Sequence, residues 1–229
     1  GGQTSIPHEG LKEGRNIKLD ERDIAMADES FSDNVVSTTA EVSQSGLIAS
    51  VGENYMSVSL SGIYPEYADI EDLKIIQGRF INKIDMEEKR KVVVMSEDNA
   101  KNFFKDNASP INRNIKIGST HYKVVGIYES NSMFTDNNMY SPYTTVQTIY
   151  AKGRTINSLT LKTRGLKTEE DSEKFEEEFR HGMSSIHNFS PDDKSAVWIW
   201  NSASQSAQLN MASSILSTSF WILGLLTLI

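Results

Sequence analysis

From Ser195 to Ile229 the chain carries no Asp, Glu, Lys, Arg or His. Charged residues make up 24% of the sequence, so an interval of this length is not chance spacing. It ends in SFWILGLLTLI, where Phe220–Ile229 is apolar except for Thr227. The segment to place is Ile215, Leu216, Phe220, Trp221, Ile222, Leu223, Leu225, Leu226, Leu228 and Ile229. Two fates are open to it. A membrane helix needs about 20 apolar residues, and a run of about 10 to 14 is more often a buried core helix. The run continues to the end of the sequence, so its visible length is a lower bound. It is also apolar on every side, as a lipid-embedded helix is and a surface helix is not. These two features favour the membrane over a buried terminal helix.

The remaining composition excludes several chemistries. The net charge of −8, without a Lys/Arg run, argues against a nucleic-acid partner. The absence of cysteine removes disulfides, thiolate metal sites and cysteine nucleophiles together. The sequence opens Gly-Gly with no basic n-region and apolar h-region, so no signal peptide is read, and both ends are expected to be cuts in a longer chain.

Gly1–Leu19 has turn formers and no periodicity, and reads as an extended connector. Asp20 with Asp23 opens a helix whose inner face is Ile24, Ala27 and Phe31. Asn34–Ala49 and the alternating Tyr55–Ile63 read as a hairpin turning at Gly52-Glu53-Asn54. Pro65 breaks the second strand, a short helix is expected within Tyr67–Leu73, and Gly78 stands at a special-φ position. Met86–Lys91 reads as a charged, solvated turn. Val92–Met95 is a buried strand, and Ser96 caps a helix with Ala100, Phe103 and Phe104 inward.

NIKIGSTHYKVVGIY is a hairpin turning at Gly118-Ser119, and Asn131–Asn138 a polar loop. Further on, Met139–Tyr143 and Ser158–Leu161 are strands and Thr144–Tyr150 is helical. Thr168 with Asp171 caps a long acidic helix with Phe175, Phe179 and Met183 inward. Ala196–Trp200 is expected as a strand carrying Trp198 and Trp200 on one face. A core or edge pair is preferred for them over membrane-interface anchorage. A final helix starts at Asn201 or Ser202. The fold class is α+β, without repeats or low-complexity tracts.

The catalytic inventory is poor. Phosphate-loop, nucleophile-elbow, dinucleotide and HExxH signatures are missing. His181 and His187 are not spaced as a helical metal pair, and the four histidines are read as ordinary surface or hydrogen-bonded residues. The acids of Glu169–Glu178 form a solvated helix face, and Asp192-Asp193 belongs to a turn. Asp85, Glu87 and Glu88 have no evident nucleophile to work with. No catalytic, cofactor-binding or metal residue is assigned.

Four stretches, in order, carry a resemblance. They are GGQTSIPHEGLKEGRNIKLDERDI, SGIYPEYADIEDLKIIQGRFIN, RKVVVMSEDNAKNFF and IKIGSTHYKVVGIYE. Together they resemble the extracytoplasmic domain of MacB/FtsX-type ABC transporter permeases. The matching motif residues are Tyr64 and Pro65, then Gly78, Arg79 and Phe80, then Val125 and Gly126.

The resemblance implies a discontinuous porter-like subdomain at 20–75 and 143–200, with a β-rich sabre-like subdomain inserted at 76–142. Residues 1–19 would connect from a preceding transmembrane helix. Residues 201–229 would form a stalk helix running into a second, severed one. The resemblance further implies a non-catalytic domain outside the cell (inner) membrane, on the periplasmic side, that transmits ATP-driven helix motion to export or envelope processes. Its partners would be a second permease subunit, an ATP-binding cassette subunit or domain, the membrane, and an adaptor, lipoprotein or cell-wall hydrolase. A ligand- or partner-sensing module of the same permease class is the alternative, and a soluble hydrolase with a buried terminal helix a third reading.

Overall fold

The computed structural model describes residues 1–105, 108–130 and 137–200. They fall into two compact units: Gly1 with Ile17–Arg164, and Gly2–Asn16 with the described part of Gly165–Ile229. The expected membrane segment and stalk helix lie outside the described residues. No helix among the described residues is long and apolar enough to cross a membrane.

The first unit is built on one long strand. After α1 (Glu21–Ser30), β1 runs from Val35 to Val51. Its first half pairs antiparallel with β8 (Ser158–Thr163), and its second half with β2 (Asn54–Ile63) across the turn at Gly52. The β1–β2 register shifts between Gln44 and Leu47, where Gly46 takes φ +71°. A bulge of this kind bends the strand and lets one β1 serve two partners.

The chain continues through α2 (Tyr67–Ile70), β3 (Ile75–Gly78), α3 (Lys83–Glu87), β4 (Val92–Ser96) and α4 (Glu97–Phe103). It then forms β5 (Asn114–Ile117), β6 (Thr120–Tyr128), β7 (Asn138–Pro142) and α5 (Tyr143–Ile149). The strand order is β2-β7-β4-β6-β5-β1-β8, and β1 also pairs β2. The first six therefore close on themselves as a ring, which removes their open edges. β3 attaches to the outside of this order along β6.

Alternation along the strands sorts the core into two faces. Ala49, Leu60, Val93, Met95, Ile117, Tyr122, Val124 and Met139 are buried on one face, each aligned with another across a strand pairing or two residues from one. On the opposite face Ile63, Ile81, Val92, Val94, Val125, Tyr128 and Tyr140 form a second cluster, covered by Tyr67, Leu73, Ile75, Phe80 and Met86. Val92–Ser96 is buried throughout because both of its faces are covered, which is why it reads as a continuous apolar run.

The second unit consists of an N-terminal hairpin, α6 (Glu169–His187) and the segment that follows it. In the hairpin Thr4 N donates to Arg15 O at 2.9 Å, and Gly14 N to Thr4 O at 2.7 Å. The expected Thr168–Asp171 capping box opens α6, and Asn188 closes it in the left-handed region at φ 56°. Phe179 and Met183 are buried on its inner side, and the Phe175 and Phe179 rings stack at 5.9 Å.

Two expectations are corrected here. Ala196–Trp200 is not a strand, and Trp198 and Trp200 are 79% and 76% exposed rather than core or edge residues. Among the described residues of this unit there is no neighbouring strand to satisfy the backbone of a five-residue extended segment there. Met86–Lys91 is not only a solvated turn. Its first residues complete α3, capped by Asn82.

Candidate functional site

The motif residues of the first unit meet along one wall. β3 pairs antiparallel with β6, with Ile75 opposite Tyr128, Gln77 opposite Ile127 and Gly78 opposite Gly126. Arg79 N adds one more rung to Val125 O at 2.9 Å. β6 itself is bulged. Val93 aligns with Val124 but Val94 with Gly126, so Val125 is the extra residue, and it turns into the outer cluster. Both glycines are required by this approach. A Cβ on Gly78 would collide with the Val125 carbonyl oxygen, and one on Gly126 with the Arg79 carbonyl oxygen. Gly78 also takes φ +72°.

Past Gly78 the chain turns into α3. Asn82 is the N-cap: its side chain accepts from Asp85 N at 3.0 Å, and Asp85 Oδ2 accepts from Asn82 N at 3.0 Å. This box draws Asp85 into the interior, where it has no exposure. A buried carboxylate needs partners. Arg79 supplies a fork, with Nη1 at 2.5 Å and Nη2 at 3.1 Å, while Arg90 Nη1 stands at 3.7 Å. Arg79 Nη1 also donates to Phe80 O at 2.9 Å. The Gly-Arg-Phe-Ile-Asn sequence is thus a single device: glycine for the close approach, arginine for the buried acid, asparagine for the cap.

The wall ends in aromatic rings. Tyr140 has Tyr67 at 5.2 Å, Tyr128 at 5.5 Å and Phe80 at 6.5 Å between ring centres, all tilted. Tyr64 and Pro65 set this up. Tyr67 N donates to Tyr64 O at 3.1 Å, a turn that carries the chain from β2 into α2 and seats Tyr67 on Tyr140. Tyr64 itself packs on Tyr143 at 5.0 Å. Burial, followed by the contact with Tyr140, pushes the Tyr67 hydroxyl far above its ordinary range, so it stays protonated.

Beside this wall lies a cavity of about 700 Å³ lined by Gly78, Val92, Ile111 and Val125, with Arg79, Arg90, Lys91 and Lys123 at its border. Residue-by-residue reading did not find it. Its cations are scattered from 79 to 123 and come together only through the β3–β6 and β4–β6 pairings.

The second unit has its own constellation, also missed. Asp193, assigned to a turn by sequence, is fully buried and ties the two segments that flank the fold. It accepts from Ser5 N at 2.7 Å, Ser5 Oγ at 2.8 Å, Ile6 N at 2.9 Å and Ser195 N at 3.1 Å. Gly2 N donates to Ala196 O at 2.8 Å, and Arg15 Nη2 to Asn188 O at 2.5 Å. Arg180 anchors the exit by donating to Val197 O at 2.6 Å. Burial alone would raise the Asp193 pKa, but the hydrogen bonds from Ser5, Ile6 and Ser195 outweigh it and hold the carboxyl below its ordinary value. The remaining named residues, Ile215–Ile229, lie outside the described residues.

Comparison with known proteins agrees with this geometry. The MacB-like periplasmic core domain profile matches residues 2–181. The macrolide export ATP-binding/permease protein MacB of Aggregatibacter actinomycetemcomitans is 32% identical over 132 residues, 56% of this chain and 20% of that protein. MacB of Mannheimia succiniciproducens is 30% identical over 141 residues, 60% of this chain and 21% of that protein. The chain therefore matches about a fifth of the length of these curated relatives.

Among solved structures, the periplasmic region of MacB from Actinobacillus actinomycetemcomitans superimposes with a TM-score of 0.70 at 26% identity, covering 91% of both chains. The extracellular domain of the transporter YknZ shares the fold, with a TM-score of 0.64 at 19% identity over 76% of this chain and 87% of that one. The mixed α and β architecture is that of these domains, and the chain belongs to the family of MacB-like periplasmic core domains.

Proposed function

We propose that this domain is the non-enzymatic, extracytoplasmic part of an ABC transporter permease in the inner membrane, and that it transmits helix motion driven by ATP hydrolysis elsewhere in the assembly. A cassette subunit or domain supplies that hydrolysis, and a second permease copy completes the transporter. The subdomain division at 20–75 with 143–200 and at 76–142 remains part of this proposal, as does the stalk from 201 into lipid.

The observation that carries the reading is the clasp in the second unit. If transmembrane helices precede residue 1 and follow residue 200, Gly2–Ile6 and Asp193–Val197 lie near the two ends of the described residues between them. These segments are bonded directly to each other, through Asp193 and the Gly2–Ala196 pair. Displacement of one helix would therefore be delivered to the other over a few hydrogen bonds rather than through the whole fold.

The reading is tested by inserting two glycines beside Ser206 in the full permease. Loss of export with ATP hydrolysis retained is expected, because a flexible joint dissipates the motion before it reaches the domain. Full export in that variant sinks the proposal.

A further inference from the structure

Arg79, Arg90, Lys91 and Lys123 border one groove of about 700 Å³ in a chain whose net charge is −8. Gathering cations against the overall sign of the molecule costs free energy through their mutual repulsion. Part of that cost has an internal explanation. Asp85 takes the fork of Arg79, and Arg90 Nε pairs with Glu88 at 2.8 Å while approaching Asp85. The two lysines have no such account. Among the described residues neither Lys91 nor Lys123 has a carboxylate partner within ion-pair distance. Both project from adjacent rungs fixed by the backbone: Lys123 N donates to Lys91 O at 2.9 Å, and Val92 stands opposite Lys123.

The main-chain donors of the wall are already used. Arg79 N donates to Val125 O, Asn112 N to Val124 O at 2.8 Å, and Lys123 N to Lys91 O. Recognition here would rest on the cationic side chains, with Ile111, Val92 and Val125 offering an apolar floor. Arg79 and Arg90 both line the groove and are partly exposed, at 42% and 44% of the side chain, while Asp85 holds Arg79 in place and Glu88, with Asp85 beyond it, holds Arg90. Two lysine point charges and two oriented guanidinium edges suit a group with several oxygens and more than one negative charge. The volume is that of a small-molecule site rather than of a lone ion.

The geometry points to a binding groove for an organic phosphate, with the phosphate between Lys91, Lys123 and the two arginines, and the organic part on the Ile111–Val125 floor. A lipid headgroup and a soluble phosphate ester share this chemistry. The inference does not depend on the coupling role, since binding is read without ATP hydrolysis and either can fail alone.

The test is calorimetric titration of the full chain in neutral detergent with inorganic pyrophosphate. Saturable binding is expected, weakened about tenfold or more in the Lys91→Gln/Lys123→Gln double variant. An equal change of net charge elsewhere, Lys12→Gln/Lys18→Gln, is expected to alter it less than about twofold. All four lysines are exposed, so folding is retained and a thermal melt verifies it. Competition identifies the source. Displacement by dihexanoyl phosphatidic acid, whose phosphate is a monoester, supports a lipid headgroup, and displacement by glycerol 3-phosphate alone supports a soluble ester. No saturation by the wild type, equal weakening by both lysine pairs, or displacement by neither competitor would overturn the proposal.

Discussion

Gly78 and Gly126 stand directly opposite each other on β3 and β6, and each leaves no room for a Cβ because the other strand's carbonyl oxygen lies there. The two glycines are far apart in sequence yet form one contact. They let β3 close on a bulged β6, and that closure places Arg79 over Asp85.

The first prediction concerns this contact. Gly126→Ala is expected to destabilise the domain by about 2–3 kcal/mol, and Gly78→Ala by at least as much, because its positive φ adds strain to the collision. Gly153→Ala is the control. Gly153 also has a positive φ, 62°, but open space around its Cβ, so a cost of only about 1 kcal/mol is expected. Urea unfolding of the three variants measures the order. Equal losses would show that crowding at the glycine pair contributes nothing.

The buried acid gives a second. Arg79→Ala leaves Asp85 without its fork and with Arg90 at 3.7 Å, and is expected to cost about 3 kcal/mol. Asp85→Asn keeps the cap geometry and costs less, about 1–2 kcal/mol. In a double-mutant cycle the two losses should fall short of additivity by about 1 kcal/mol or more. Additive losses would mean that the pair is not coupled.

A third follows from the rings around Tyr140. Tyr140→Ala removes a buried ring in contact with Tyr67, Phe80 and Tyr128, and is expected to cost about 3–5 kcal/mol. Tyr140→Phe keeps the packing and loses the hydroxyl with its contact to Tyr67, about 1 kcal/mol. Chemical denaturation distinguishes the two. A Phe variant as damaged as the Ala variant would place the stabilisation in the hydroxyl instead of the ring.

The fourth is a pH dependence. The folded-state pKa of Asp193 is lowered, so its contribution is fully present above the ordinary carboxylate value and is lost as pH falls from there through the lowered one. Stability should therefore drop on acidification below about pH 4, and Asp193→Asn should flatten that drop while lowering stability near neutrality. Thermal melts across this range read both. An unchanged acid slope in the variant would contradict the clasp as drawn.

Much of the local structure was legible in the sequence, because local rules decide it. The Asp20–Asp23 and Thr168–Asp171 capping boxes, the Ser96 cap, the Gly52 and Gly118 turns and the Val92–Met95 run each follow from a few adjacent residues. The site was less legible, because its parts are brought together by pairing. Nothing in Gly78-Arg79-Phe80 alone names Gly126 as its partner, and Lys91, read within a solvated turn, has nothing nearby to link it to Lys123 until β4 and β6 pair. Asp193 carried the signature of a turn and turned out to be a buried acceptor for residues 5 and 6, a contact no local window contains. Asn82 and Asp85 were the missed opportunity, since an Asn followed three residues later by an acid is a capping-box pattern.

The central claim is that the domain passes motion between the segments that enter and leave it. Its most direct test is export per ATP hydrolysed in a full transporter carrying Asp193→Ala, assayed at a temperature where the variant domain remains folded. The account predicts a ratio reduced about tenfold, with ATP hydrolysis itself within about twofold of wild type, because the clasp that joins residues 5 and 6 to the exit segment is gone. An unchanged ratio in a variant whose clasp is shown to be open would contradict it.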